Sequence, residues 1–444
     1  MSHTTGMDEV DLIIHPEWII PVEPAQTVLE DHSLAIHQGQ ILAIAPPSEM
    51  AQTYTAKAEH HLPGQVVLPG LINAHTHAAM TLLRGFADDL PLMTWLTEHI
   101  WPAEQAHVGE AFVHAGSELA ILEMLRGGIT CFNDMYFFPE ATANAAAKAG
   151  VRASVGMILI DFPTAYANGP EEYLAKGQAL HSQWAGHPLI DTTMAPHAPY
   201  TVSEKNLVRA AEIAEALNRR FHIHVHETAA EVERHLTTQG DRPLMRLDAL
   251  GLINSNLLAV HMTQLSERER DRLAATGAHV IHCPEANMKL ASGFCPVADL
   301  ADRGVHLALG TDGAASNNDL DLLSEMRTAA LIAKGVSGNA AALPAWQAIE
   351  IATLGGAKAL GRDHEIGSLK VGKAADLISL DLTQPESTPL HQVPSQVVYA
   401  ASRQQIKHVW INGAHVLNER AATTLDQTAI LARATEWRDK LQKR

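Results

Sequence analysis

The chain has 444 residues, 46% of them hydrophobic, and its 32 basic against 50 acidic residues give a net charge of −18. This acidity disfavours a surface that binds nucleic-acid phosphates, and the hydrophobic fraction excludes a disordered chain. No apolar run reaches the roughly 18 residues of a membrane span, and the sequence starts without a basic and apolar leader, so a cytoplasmic protein without a membrane or nucleic-acid partner is expected.

Short strand patterns occupy both ends of the chain. They predict strands at 10–15, 33–37 and 40–45 near the start and at 375–381, 397–400, 406–411 and 414–417 near the end. Because the ends of a domain often lie close together, the two groups are expected to form one small β-sandwich module from residues 1–65 and 370–444.

Between these ends, apolar strand patterns alternate with helical ones. The eight predicted strands are 66–72, 129–133, 153–159, 190–195, 221–225, 257–260, 279–282 and 305–309. The helical patterns include 109–126, 140–149, 203–219 and 266–276, the last of which begins with a capping box of Ser266 and Glu269. Such alternation predicts an α/β fold, a (β/α)8 TIM barrel over residues 66–369. A doubly wound open sheet is the alternative, and the absence of a G-x-G-x-x-G segment after a strand disfavours it.

The active site of a TIM barrel lies at the carboxyl ends of its strands, so residues there are the candidates for chemistry. The first strand ends with His75 and His77, which point to one side because they are two residues apart in an extended segment. An isolated H-x-H is more often structural, but three further strand ends carry ligand side chains: His222, His224, His226 and Glu227; His261; and Asp312. Imidazoles with one carboxylate suit a catalytic zinc or iron ion, and three cysteines are too few for a thiolate zinc site. Spacing leaves open which histidine of the fifth strand would bind.

The segments VLPGLINAHTHAAMTLLRG, HIHVHET, AVHM and ALGTDGAASNN resemble the amidohydrolase superfamily, in its branch of mononuclear aminohydrolases. Within that branch the chain is most similar to the 5′-methylthioadenosine/S-adenosylhomocysteine deaminase family, over nearly its whole length. The resemblance implies one divalent metal ion, zinc ahead of iron(II) or manganese(II). The ligands that it implies are His75, His77, His224 and Asp312.

The resemblance also implies roles around this metal. Glu227 is expected as the acid/base, and His261 as the residue that orients the water and the intermediate. His197, Glu104, Glu227 and Asp312 are the expected substrate contacts, with Glu104 on the ribose hydroxyls.

The sequence departs from the family pattern at two positions. Met157 stands where some members have an arginine that faces the tail of the substrate, so an apolar tail site that includes Met157 is expected. Ala286 replaces a serine before Asn287. The fourth strand ends at Ala195-Pro196-His197 without the lysine of binuclear relatives, which favours a single metal ion.

The function implied is hydrolytic deamination, with cleavage of a C–N bond in a cyclic amidine. The expected substrates are 5′-methylthioadenosine, S-adenosylhomocysteine and adenosine, and the products are the inosine analogue and ammonia. The alternative is another mononuclear member that acts on a purine, pyrimidine or triazine ring, such as a guanine or cytosine deaminase or a chlorohydrolase.

A non-catalytic metal-binding protein is disfavoured because Glu227, His261 and Asp312 are all present. Whether Trp95, Trp101 and the segment 135–138 line the pocket or only pack in the core is open. The expected partners are a small-molecule nucleoside and further copies of the chain, in a homo-oligomer that is a dimer or a tetramer.

Overall fold

The computed structural model describes residues 7–442. Residues 1–6 and 443–444, which belong to the predicted terminal module and to the expectation about a leader, lie outside the described residues. The strands in chain order are β1 (Asp8–Ile19), β2 (Leu29–Glu30), β3 (Ser33–His37), β4 (Gln40–Ala45), β5 (Tyr54–Pro69), β6 (Leu71–Thr76), β7 (Ile129–Asp134), β8 (Arg152–Leu159), β9 (Ile190–Pro196), β10 (Phe221–Val225), β11 (Leu257–His261), β12 (His279–His282), β13 (His306–Leu309), β14 (Leu377–Asp381), β15 (Ile406–Ile411), β16 (Ala414–Asn418) and β17 (Ala421–Ala422).

The α-helices lie between or after these strands in the chain, and most of them surround the barrel. In chain order they are α1 (Pro47–Thr53), α2 (Leu92–Thr94), α3 (Trp101–His107), α4 (Glu110–Arg126), α5 (Pro139–Ala149), α6 (Pro170–Trp184), α7 (Glu204–Ala216), α8 (Ala229–Gln239), α9 (Pro243–Ala249), α10 (Glu267–Thr276), α11 (Pro284–Lys289), α12 (Val297–Asp302), α13 (Leu322–Ser337), α14 (Ala345–Ala352), α15 (Leu354–Leu360), α16 (Val393–Tyr399) and α17 (Gln427–Leu441). A π-helical stretch, Trp95–Ile100, joins α2 to α3. The capping box predicted for Ser266 and Glu269 is present at the start of α10. Among the helices described between residues 7 and 442, none is long and apolar enough to cross a membrane.

The two ends of the chain pair in one mixed sheet, as predicted. Its order is β17-β16-β15-β14-β5-β1-β3-β4, with β2 paired to β1. The long strand β5 joins the two groups, because it runs parallel to β1 on one edge and antiparallel to β14 on the other. Apolar side chains of this sheet, among them Ile14, Ile36 and Trp410, are fully buried in a core of their own.

The eight strands β6 to β13 form the barrel, which confirms the predicted (β/α)8 class. Each strand pairs in parallel with its neighbours in chain order. A parallel bridge between Thr76 and Asp312 brings the first strand next to the end of the last. The carboxyl ends of all eight strands therefore meet at one face of the barrel.

Two predicted strands are wrong in detail. The run 66–72 is two strands, because the chain passes from the terminal sheet to the barrel at Gly70, where a Cβ would lie 2.0 Å from Thr130 Oγ1. Residues 397–400 belong to helix α16 and the residue after it, and Val397 and Val398 bury themselves in the main core. A short apolar run fits a strand or a buried helix equally well, so the tertiary contacts decide.

The limits of the two predicted domains stay a prediction. The final helix α17 packs on barrel helix α4, where the rings of Trp437 and Phe112 lie 5.2 Å apart. Arg433 of α17 also pairs with Glu118 of α4. The end of the chain thus contacts the barrel as well as following the terminal sheet.

Candidate active site

Three imidazoles and a carboxylate converge at the carboxyl ends of β6, β10 and β13. His75 Nε2 lies 3.2 Å from both Asp312 Oδ1 and His224 Nε2, and His77 Nε2 lies 3.2 Å from Asp312 Oδ1. Two ligands of a tetrahedral zinc ion are about 3.3 Å apart, since each lies about 2.0–2.1 Å from the metal. The donors are therefore spaced as a single metal ion requires.

The Nδ1 atoms of these imidazoles, which face away from the centre, form hydrogen bonds with the surrounding protein. His77 Nδ1 donates to the carbonyl oxygen of Met135 at 2.5 Å, and His224 Nδ1 donates to that of His197 at 2.8 Å. Because a carbonyl only accepts, a neutral ring in this position presents an unprotonated Nε2 to the centre. Such outer contacts are typical of metal-binding histidines, and the donor set fits one divalent transition-metal ion.

His222 supports the centre from behind. Its Nε2 lies 2.9 Å from His75 Nδ1, and its Nδ1 lies 3.1 Å from Asn133 Nδ2. Of the three histidines of the fifth barrel strand, His224 therefore faces the centre and His222 contacts a ligand. The third, His226, accepts a hydrogen bond from the Leu244 amide at 3.1 Å and lies away from the cluster.

His261 completes the cluster. Ligand atoms of His75, His224, His261 and Asp312 all lie within 4.8 Å of one another. His261 Nε2 is 3.9 Å from Glu227 Oε2, and its Nδ1 is 2.9 Å from Asn287 Oδ1, a partner that the sequence analysis did not single out. His261 and Asp312 have φ angles of 78° and 58°, a left-handed conformation that concentrates at functional sites and costs on the order of 1–3 kcal/mol.

The two carboxylates of the site have opposite electrostatic environments. Burial raises the pKa of Glu227, although the neighbouring His261 opposes the shift. Burial also acts on Asp312, but hydrogen bonds from His75 and His77 outweigh it and hold its pKa well below the usual value. A pair of acids whose pKa values are pushed apart suits one to donate a proton and the other to stay ionised.

The backbone of Glu227 is fixed by a second carboxylate, Glu231 on α8. Glu231 Oε2 accepts from the Glu227 amide at 2.7 Å, and Oε1 accepts from the His226 amide at 3.1 Å. Thr228 caps the same helix by accepting from the Glu231 amide. Glu231 is not among the residues predicted from the sequence, although the segment Thr228-Ala229-Ala230-Glu231 has the spacing of a capping box.

The carboxylate of Asp312 is oriented by the loop that follows it. Ser316 Oγ donates to Asp312 Oδ2 at 2.6 Å, a contact that the sequence analysis did not predict. Asn317 Nδ2 donates to the Thr311 carbonyl at 2.8 Å and to Glu325 Oε1 at 2.5 Å, so its side chain orders this loop.

A cavity of about 590 Å³ opens onto the cluster, a size typical of sites for small ligands. Side chains that line it include His77, Trp95, Trp101, Glu104, Tyr136, Phe137, Ile158, Ile160, Phe162, His197, Glu227, His261 and Asp312. The two tryptophans and much of the segment 135–138 thus line the pocket. All the predicted site residues except Met157 and the deep ligand His75 are in contact with this space, and His75 belongs to the cluster itself.

Glu104 lies in the wall of the cavity on α3. The Tyr136 hydroxyl donates to Glu104 Oε1 at 2.7 Å. Burial raises the pKa of Glu104 to about 7, although that hydrogen bond opposes the shift. The carboxylate therefore changes its charge near neutral pH.

The prediction that Met157 lines the site for the substrate tail is wrong. Its side chain is buried against α6, where a Cβ added to Gly177 would lie 2.9 Å from Met157 Cβ. Because side chains alternate along a strand, the next residue of β8, Ile158, lines the cavity instead, as does Ile160 beyond the end of the strand. Ala286 is buried on α11, and nothing in the structure explains its replacement of serine.

The chain is similar to known proteins over nearly its whole length. The model of the amidohydrolase family matches residues 66–416. The chain is 49% identical to the 5-methylthioadenosine/S-adenosylhomocysteine deaminase of Teredinibacter turnerae over 99% of both chains, and 47% identical to that of Saccharophagus degradans over 99% of this chain and 98% of the relative.

Solved structures extend the comparison. An adenosine deaminase from Xanthomonas campestris with bound zinc is 50% identical and superposes with a TM-score of 0.98, over 99% of this chain and 100% of that one. The atrazine chlorohydrolase of Arthrobacter aurescens, complexed with zinc, has a TM-score of 0.89 over 96% of this chain and 99% of its own. At 21% identity, it shares the fold alone.

Proposed function

We propose that this chain, which belongs to the amidohydrolase family, is a metal-dependent hydrolytic deaminase of 5′-methylthioadenosine and S-adenosylhomocysteine. The reaction replaces the exocyclic amine of the adenine ring with oxygen from water and releases ammonia. The observation that carries the proposal is the buried cluster of His75, His77, His224 and Asp312, with Glu227 beside it, at the end of a cavity of nucleoside size. Relatives 47–49% identical over almost the whole chain bear the name of this activity.

The ion would be held by His75, His77, His224 and Asp312. A divalent ion bound there lowers the pKa of water towards about 7. We propose zinc, which the Xanthomonas relative binds, while iron(II) and manganese(II) are alternatives for the same donors.

Three side chains move or hold the protons. Asp312, whose pKa is held low, stays ionised and accepts a proton from the attacking water. Glu227, whose pKa is raised by burial, donates a proton to the ring nitrogen next to the amine-bearing carbon. As the C–O bond forms, His261, whose Nε2 lies 3.9 Å from Glu227 Oε2, stabilises the new oxygen. The proton that Asp312 accepted then passes to the amine, the C–N bond breaks to release ammonia, and the new hydroxyl returns a proton to Glu227.

The ribose would be held by Glu104 and His197 in the cavity wall. An ionised Glu104 accepts hydrogen bonds from vicinal hydroxyls, and Tyr136 keeps one of its oxygens in place. A free purine base has no ribose hydroxyls that could bind Glu104 and His197. These two residues therefore favour a nucleoside over a free base as substrate.

The 5′ tail would lie against an apolar wall. Ile158, Ile160 and Phe162 line the cavity, and among the described residues around it none is Lys or Arg. A methylthio group suits such a wall, whereas the carboxylate of a homocysteine tail would find no cation. We therefore propose that 5′-methylthioadenosine is the better of the two substrates.

Turnover of 5′-methylthioadenosine by the purified, zinc-loaded protein tests the proposal. We expect loss of the adenine absorbance and one ammonia per nucleoside, with a lower kcat/KM for S-adenosylhomocysteine and no turnover of free adenine, guanine or cytosine. Activity on a bare ring, without activity on either nucleoside, would refute it.

The cellular setting of the enzyme is a lesser part of the proposal. Cys131, Cys283 and Cys295 are buried as free thiols, which supports the reducing cytoplasm as its compartment. Fractionation of cells that express the protein tests this location. The predicted homo-oligomer stays a prediction.

A further inference from the structure

A second group of metal-binding side chains lies far from the cavity, on one face of the terminal sheet. His15 of β1 and His61 of β5 are direct partners in the parallel pairing of these strands. Glu59 precedes His61 by two residues and therefore lies on the same face of β5. The three side chains come from two neighbouring strands whose register fixes their relative positions.

The distances within this trio suit a shared ligand. Glu59 Oε2 lies 3.6 Å from His15 Nε2 and 3.5 Å from His61 Nε2. The two imidazole rings stack with centroids 4.5 Å apart and planes 9° from parallel. The ligand atoms of the trio all lie within 4.8 Å of one another. Those on a tetrahedral zinc ion are about 3.3 Å apart, so the two stacked rings would rotate towards a shared ion on binding.

Nearby residues prepare the trio for binding. The buried Ser33 of β3 lies 2.7 Å from His15 Nδ1, which fixes the ring and directs Nε2 towards Glu59. Lys57, on the same face of β5, donates to Asp11 at 2.9 Å, so its charge is engaged there rather than at Glu59. The side chains of His15, Glu59 and His61 are 20%, 49% and 70% exposed, which leaves solvent access for an ion and its remaining water ligands.

We propose that His15, Glu59 and His61 form a second metal site, which takes a divalent transition-metal ion of the zinc, nickel or copper type. Two imidazoles favour these ions over magnesium and calcium, which prefer oxygen ligands. The net charge of −18 also attracts cations to the surface.

An ion at this site would join β1 to β5, the strand that leads directly into the first barrel strand β6. Because the unfolded chain does not hold the trio together, binding would stabilise the folded sheet by mass action. The site is independent of the deaminase activity, since none of its residues lines the cavity of the barrel.

Calorimetric titration with Ni²⁺ of the enzyme loaded with one zinc ion per chain tests the proposal. We expect one further site in the wild-type protein, weakened at least tenfold in both His61→Asn and Glu59→Gln. The matched control is His391→Asn, which removes an exposed histidine from the loop before α16. Circular dichroism of each variant in metal-free buffer confirms that the sheet is folded.

Three results would overturn the proposal. The wild-type protein could bind no Ni²⁺ beyond its first metal ion. Either trio variant could bind as tightly as the wild type, which would remove that residue from the site. An equal loss in His391→Asn would mean scattered binding to surface histidines.

Discussion

The barrel cluster and the terminal-sheet trio use the same ligand types in different surroundings. His75 is fully buried, and each barrel imidazole has an outer partner: a carbonyl, or His222 in the case of His75. In the terminal trio, His61 is 70% exposed, and among residues 7–442 only His15 has an outer partner, Ser33. The comparison predicts that ligand identity is enough to attract an ion, whereas burial and outer hydrogen bonds supply tight binding and chemistry.

The carboxylates of the two clusters differ in the same way. Glu227 is buried beside His261 at the edge of a cavity, and burial raises its pKa. Glu59 lies between two histidines on an open sheet surface, half exposed to water. Only the first arrangement can hold a proton for a substrate and exclude bulk water while it is used.

Replacing the acid of the barrel cluster should have the largest effect. Glu227→Gln keeps the shape of the side chain but cannot deliver a proton, so we expect kcat to fall about 10²–10⁴-fold. The metal content, measured by atomic emission, should stay at the wild-type value because Glu227 is not among the proposed ligands. Retained activity would show that another group protonates the ring.

Removing the residue that contacts a metal ligand from behind should weaken metal binding, although all four ligands stay in place. His222→Leu leaves His75 Nδ1 without its neighbour, and we expect metal affinity to fall about 10–100-fold in competition with a chelator. His222→Gln, which can still reach His75 with a polar group, should recover part of this loss. Equal affinities in all three proteins would mean that burial alone orients His75.

Protonation of Glu104 should make the KM for the nucleoside depend on pH. Its pKa is raised to about 7, so the carboxylate is ionised above that pH and neutral below it. As the pH falls through 7, the ribose hydroxyls lose a charged acceptor, and KM for 5′-methylthioadenosine should rise about tenfold, because hydrogen bonds to charged groups contribute about 1.5–3 kcal/mol.

The variant Glu104→Gln provides the control for this pH dependence. It should have a raised KM at every pH, with the step near pH 7 removed. A wild-type KM that stays flat between pH 6 and 8 would contradict the role of Glu104.

The sequence was sufficient to predict that the candidate ligands lie together, because strand ends of a barrel converge wherever the connecting helices lie. The H-x-H spacing of His75 and His77 and the position of Asp312 after the last strand depend only on local order. His261 was found by the same rule. The partners that orient these residues were missed, since Asn287 and Ser316 come from neighbouring loops whose packing no local pattern records.

The error at Met157 has a different origin. Adjacent residues of a strand face opposite sides of the sheet. A prediction that is wrong by one position therefore selects a residue of the outer core instead of one that lines the cavity. Ile158 is the neighbour that faces the cavity, and it replaces Met157 in the proposed apolar tail site. The strand predicted at 397–400 was wrong because so short an apolar run has no clear periodicity. Four apolar residues fit either a strand or one turn of a buried helix.

The smallest effect on activity is expected when only the exposed ion is removed. Brief dialysis of the fully loaded protein against a chelator should reduce its metal content from two ions to one, while kcat/KM for 5′-methylthioadenosine stays unchanged. The reason is access: the trio is open to solvent, whereas His75 is fully buried and its ring is braced by His222. Prolonged chelation should then remove the second ion and the activity together. If activity instead fell in step with the first ion lost, the barrel site would be the weaker of the two, and burial would not govern metal retention in this protein.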